Sequence, residues 1–103
     1  MYAVLRRYTL TSGSMSQLVR EIQEHFLFRL SQIVGFISYE AVVESDQALT
    51  TISVFDSDAG AHESTRIAGD FVRDLGDRVT VERREVIEGA VLVHQEATIA
   101  AGR

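Results

Sequence analysis

The chain of 103 residues contains no cysteine. Disulfides, thiolate nucleophiles and cysteine-based zinc or iron–sulfur sites are therefore excluded. Lysine is absent too, so all ten basic residues are arginines and Schiff-base chemistry on a side-chain amine is ruled out. Neither tryptophan nor asparagine occurs. No apolar run approaches the roughly 18 residues that a membrane-spanning helix needs. The N-terminus, Met1-Tyr2-Ala3-Val4-Leu5, meets Arg6-Arg7 too early to form the apolar core of a secretory signal. These features predict a soluble, cytoplasmic protein. The net charge is −5, and the arginines are scattered apart from the Arg6-Arg7 and Arg83-Arg84 pairs. Phosphate backbones require clustered cations, so nucleic acid is not an expected partner. No glycine-rich phosphate loop is present, and three separated histidines make no metal-binding signature. Neither a cofactor nor a metal is expected.

What remains is an ordinary globular balance, with 46% hydrophobic and 24% charged residues. The length fits one domain with a small core, expected over 1–96, followed by a loose tail over 97–103. Tyr2 to Thr9 alternates as a strand, with Val4, Arg6 and Tyr8 on one face and Ala3, Leu5 and Arg7 on the other. Ser14 and Gln17 fit a capping box that opens a helix. Met15, Leu18, Val19, Ile22, Phe26, Leu30 and Ile33 then form one apolar stripe, with Leu27 and Phe28 off it. Gly35 is the expected stop, since glycine takes positive φ at little cost. Phe36 to Glu44 and Ala48 to Phe55 read as two strands joined by a turn short enough to demand an antiparallel hairpin. A second helix, capped within Asp56-Ser57-Asp58, carries Ala61, Ser64, Ala68, Phe71, Val72 and Leu75 on one side and ends near Gly76. Residues 77–84 are ambiguous. Glu85 to Gln95 is predicted as the last strand, with a bulge or close backbone approach at Gly89.

The order β-α-β-β-α-β gives an α+β, ferredoxin-like sandwich: a four-stranded antiparallel sheet with two helices on one face. The other face is expected to keep apolar residues, from sets such as Ile37, Tyr39 and Ala41 or Val4 and Tyr8. Pairing of two such faces in a homodimer is the simplest way to cover them.

Tyr8 ending strand one, Gly35-Phe36 with Tyr39, Ile52 to Phe55 followed by Asp56, and Ala61 in the second helix resemble the antibiotic-biosynthesis-monooxygenase-like (ABM-like) family. The resemblance reaches to about Val93. It implies a dimeric α+β barrel with a cavity in each subunit between sheet and helices. Some members oxygenate aromatic polyketides with dioxygen and neither metal nor flavin; others degrade haem, isomerise or decarboxylate small molecules. Relatives often keep a tryptophan at the end of the third strand and a histidine in the second helix. Here Phe55 stands at the first position, and Ser64 or Thr65 stands near the second. The asparagine and tryptophan of the haem-degrading branch are missing.

The candidate site residues follow. Arg6, Tyr8 and Tyr39 on inward strand faces would orient an enolate or phenolate, with Phe55 and Ser64 completing the substrate site. The competing reading has both tyrosines filling space and Arg6 pairing with Glu40 across the sheet. His62 and His25 are the candidate bases, because histidine titrates near neutral pH. Each also reads as a surface residue of its helix, and His94 as an interface residue. The expected activity is a cofactor-independent monooxygenase acting on an aromatic or polyketide-like substrate. The alternative is a non-catalytic dimeric ligand-binding or interaction module.

Overall fold

The computed structural model describes residues 1–97, and residues 98–103 of the expected tail lie outside the described residues. Strand β1 (Tyr2–Ser12) leads to helix α1 (Met15–Glu21), a π-helical segment (Ile22–Phe26) and helix α2 (Leu27–Ser31). Strands β2 (Phe36–Val43) and β3 (Ala48–Phe55) form the hairpin, and helix α3 (Asp58–Asp74) and strand β4 (Thr80–Ala90) complete the chain. The sheet order is β2-β3-β1-β4 with every neighbour antiparallel, the ferredoxin-like arrangement.

Local chemistry explains each element. The Ser14 hydroxyl accepts from the Gln17 amide at 3.1 Å while the Gln17 side chain accepts from the Ser14 amide at 2.7 Å, so the capping box is complete. Buried residues then recur at Leu18, Ile22, Phe26 and Leu30, each four apart. On a regular α-helix each step of four advances the stripe by about 40°. The wider π turn at Ile22–Phe26 takes up part of that drift and keeps all four side chains over the sheet. It also explains why Leu27 is half-buried and Phe28 is turned out to solvent, 70% exposed. Helix α2 ends at Ser31, earlier than the stripe through Ile33 suggested. Gly35 then reverses the chain at φ +87° into β2. Ser57 caps α3 by accepting from the Gly60 amide at 3.1 Å. Gly60, Ala61, Ser64 and Ala68 give α3 a small-residue face that lies close to the sheet.

Several sequence expectations are corrected. A bulge between Phe36 and Ser38 leaves Ile37 out of register, so Ile37 and Tyr39 do not share a face. Val4 and Tyr8 also point into the core beneath the helices, as does Tyr39, so none of these three lies on the uncovered face. That face instead carries the cross-strand row Glu40, Ile52, Leu5 and Ile87, flanked by Val42 and Val54. Strand β4 starts at Thr80, within the ambiguous stretch, and stops at Ala90, well before Gln95. Arg83-Arg84, which broke the alternation in the sequence, is a bulge: Tyr8 pairs with Arg83 and Arg7 with Glu85, with Arg84 left over. Gly89 pairs in register with Ala3 and has nothing within 4 Å of a would-be Cβ, so no bulge or close approach exists there. Leu92 and Val93, assigned to the last strand, lie past its end and are 89% exposed.

Two glycines should respond oppositely to alanine. A Cβ at Gly35 would stand 1.9 Å from Asp56 Oδ1, at a φ of +87° that alanine resists. Gly35→Ala should destabilise the protein by about 1–3 kcal/mol. Gly69 in α3 has no neighbour within 4 Å and ordinary helical geometry, so Gly69→Ala should stabilise by about 0.5–1 kcal/mol. Urea unfolding midpoints check both, and equal shifts of the same sign would contradict this account of Gly35.

Candidate functional site

Strand β1 places Arg6 on the helix side of the sheet, opposite Thr51 of β3 and Val86 of β4. Its side chain is fully buried, at 0% exposure. Nη1 donates to Ser64 Oγ at 3.1 Å and to Thr65 Oγ1 at 3.2 Å, and Nη2 donates to Ser53 Oγ at 3.0 Å. Ser64 donates its own hydrogen to the Ala61 carbonyl at 2.6 Å, which leaves its oxygen lone pairs for Arg6. Among the described residues no carboxylate forms an ion pair with Arg6. A guanidinium offers five N–H donors. Three are engaged here in hydrogen bonds of normal geometry, Tyr8 adds a looser hydrogen-bonding influence, and Nε–H has no acceptor of normal geometry. The buried Thr51 hydroxyl, on the neighbouring strand, is also unpartnered.

These two unsatisfied atoms belong to residues that line a small, partly open cavity of about 20 Å³ between sheet and helices. Tyr8 and Tyr39 add phenols to the polar side, while Phe26, Phe71 and Leu18 are among the apolar walls. Phe26 packs against Tyr39 edge-on at 5.6 Å between centroids and against Phe71 at 5.1 Å. The cavity as it stands admits about one water-sized particle. An aromatic ring would have to displace Phe26 or Phe71.

Electrostatics follow from burial. Loss of hydration lowers the pKa of Arg6; Tyr8 and Tyr39 oppose that effect and Arg83 adds to it. Burial raises the Tyr39 phenol above its ordinary range, and neighbouring Arg6 opposes the shift without cancelling it. Thr51 pulls the same way as Arg6, although its hydroxyl makes no hydrogen bond of normal geometry. Tyr39 is therefore an O–H donor at neutral pH and not a base.

The structure brings together Arg6, Tyr8, Tyr39 and Ser64, with the first three lining the cavity and Ser64 behind the guanidinium. Phe55 is fully buried elsewhere, packed edge-on to Phe36 at 5.8 Å and against Gly60, and does not line the cavity. The expected alternative partner of Arg6, Glu40, opposes Ile52 and points from the opposite face of the sheet. His62 is 87% exposed with Glu88 at 3.5 Å, and His25 is 56% exposed with Glu21 at 3.8 Å. Neither histidine lines the cavity. His94 lies past β4, with Glu96 at 3.2 Å. Sequence reasoning missed Thr51, Ser53 and Thr65 as parts of the site. A signal was present: Thr51 and Ser53 alternate with Ile52, which puts hydroxyls on the core face of a strand that ends in Phe55.

No family model matches the chain, and no curated protein matches it. Solved structures do. A protein of unknown function from Nitrosomonas europaea, NE2512, superposes with a TM-score of 0.71 at 13% identity over 94% of each chain. A dimeric ferredoxin-like protein from an uncultured marine organism gives 0.67 at 16% identity, covering 94% of this chain and 100% of that one. SnoaB, a cofactor-independent oxygenase from Streptomyces nogalater, gives 0.66 at 14% identity over 94% and 96%. At such identities the likeness is one of fold, and the fold is that of the ABM-like proteins the sequence resembles.

The raised pKa of Tyr39 has a measurable consequence. Below its ordinary value of 10.0 the phenol is protonated both folded and unfolded, and contributes no pH dependence. As pH rises past about 10 the unfolded chain ionises first, so stability falls until the folded-state value is passed. Tyr39→Phe should remove this component: the drop in urea midpoint between about pH 9 and 11 should be smaller in the variant. Identical drops in the two proteins would show that Tyr39 titrates normally.

Proposed function

We propose that the protein is a homodimeric small-molecule enzyme that binds an aromatic or polyketide-like compound as its enolate or phenolate. The charged oxygen lies against Arg6 and accepts from the Tyr39 hydroxyl. The reaction this arrangement suits is a cofactor-independent monooxygenation, in which the bound anion itself passes an electron to dioxygen. One observation carries the proposal: a fully buried guanidinium, on a residue that lines the cavity, whose Nε–H has no acceptor and to which no carboxylate among the described residues is bound. A buried charge is stable in that form when a ligand supplies the opposite charge. The fold shared with a cofactor-independent oxygenase supports the reading by analogy. His62 and His25 stand outside the cavity, so the substrate loses its proton to solvent before capture, and the Arg6 charge then selects the anionic form. Ligand entry requires the Phe26 ring to swing aside.

The second reading is a dimeric ligand-binding module without turnover, and the small cavity favours it. Oxygen uptake and thermal shift separate the two. Under the enzyme reading, a panel of hydroxylated aromatic and quinone-type compounds should contain at least one that raises the melting temperature and consumes oxygen, with both effects lost in Arg6→Met. A compound that binds without oxygen uptake selects the binding module. No shift from any class would remove both readings.

Dimerisation is proposed through the uncovered sheet face, where Leu5, Ile52 and Ile87 form an apolar row that no helix covers. Light scattering at micromolar concentration should give twice the chain mass for the native protein and the chain mass for Ile52→Glu. A monomeric native protein would overturn the proposal.

A further inference from the structure

We infer that the Arg6 cavity is a binding site for a small monovalent anion of the halide class, which occupies it when no organic ligand is bound. This inference shares the anion-binding reading of Arg6 with the proposed function but does not depend on the oxygenase chemistry.

The size of the cavity is the first argument. About 20 Å³ holds one particle of roughly water size and excludes a ring or a branched oxyanion. The donor set is the second. Arg6 is fully buried and Thr51 is 3% exposed, and both present an unpartnered polar atom, Nε–H and the Oγ1 hydroxyl. Tyr39 stays protonated, because burial raises its pKa and keeps its hydrogen in place. The cavity thus offers N–H and O–H donors and no carboxylate. A water would satisfy these donors with its lone pairs and then need acceptors for its own two hydrogens. An anion needs none.

Charge is the third argument. The hydroxyls of Ser53, Ser64 and Thr65 accept from the far side of Arg6 but carry no net charge. Among the ionisable neighbours that influence Arg6, Arg83 adds positive charge. Arg83 lies close by, with Nη1 at 3.5 Å from the Thr65 carbonyl, while Thr65 Oγ1 contacts Arg6. Two guanidiniums therefore converge on one residue; the exposed one, Arg83, shares its surface pocket with Glu63, Asp70 and Glu88, while the buried one, Arg6, has no acid bound to it among the described residues. In a low-dielectric interior an unneutralised cation is costly, and a single small anion at Nε–H removes most of that cost.

The experiment uses the full chain, exchanged into gluconate buffer, with chloride or bromide replacing gluconate at constant ionic strength. Halide should raise the melting temperature saturably, by on the order of 5 °C at ten times its dissociation constant. The rise should vanish in Arg6→Met, weaken in Thr51→Val and persist in the surface variant Arg66→Gln. Should Arg6→Met fold poorly, bromide-soaked crystals of the native protein give an independent readout, an anomalous peak beside Arg6 Nε and Thr51 Oγ1. No halide response, an equal response in Thr51→Val, or bromide peaks on the surface alone would overturn the inference. If halides bind while every aromatic compound fails, the anion site stands and the oxygenase reading falls. If aromatic compounds bind and halides neither stabilise nor compete, the reverse holds.

Discussion

A guanidinium held inside the core with no carboxylate paired to it among the described residues is the constraint around which this small domain is arranged. Arg6 projects from a central strand, so its charge cannot reach solvent past β3, β4 and α3. The surrounding sequence accommodates it with neutral acceptors. Ser53 lies on the adjacent strand, and Ser64 and Thr65 lie on the helix above. Small residues on α3 are needed twice over: they let the helix approach the sheet, and they bring the Ser64 and Thr65 hydroxyls within hydrogen-bonding distance. Each unsatisfied buried polar atom costs about 1–3 kcal/mol. Arg6 Nε and Thr51 Oγ1 together therefore represent a sizeable share of the ~5–15 kcal/mol by which such domains are stable. A core designed for stability alone would place an apolar residue at position 6.

The first helix is shaped by the same interior. A stripe spaced by fours cannot stay over a sheet on a regular helix, and the π segment is where the chain resolves this. Its end is Phe26, whose ring meets both Tyr39 and Phe71 and closes the cavity. The geometric correction and the cavity wall are thus one feature.

Much of this was legible in the sequence and some was not, for physical reasons. Alternation gave the faces of β1 correctly because its inward residues, Val4, Arg6 and Tyr8, follow a strict period of two. It failed wherever a bulge intervened. One extra residue at Ile37, and another at Arg84, reverses every later face in the strand; the Arg83-Arg84 pair disturbs the alternation without saying how, and nothing in the side-chain pattern marks the insertion at Ile37. The site was half legible. Arg6, Tyr8 and Tyr39 were identifiable as polar or amphipathic residues at inward positions. Their acceptors were not, because serine and threonine are equally at home on a solvated face, and only tertiary packing turned Ser53 and Ser64 inward. The histidines misled for the opposite reason: their chemistry draws attention, while helix geometry sends both His25 and His62 outward.

The interior and the open sheet face are linked by the same energetics. Volume given to a charged, partly unsatisfied site is lost to apolar packing, and a domain of this size has little to spare. The opposite face of the sheet still carries Leu5, Ile52 and Ile87 uncovered by either helix, with Arg7 between Glu44 and Glu85 at 3.6 Å from each. Burying that row against a second copy returns about 25 cal/mol for each Å² of apolar surface removed from water. In the proposed dimer that stabilisation would come from the face opposite the Arg6 cavity and leave the cavity untouched, so the two faces of the sheet would divide packing and polar burial between them.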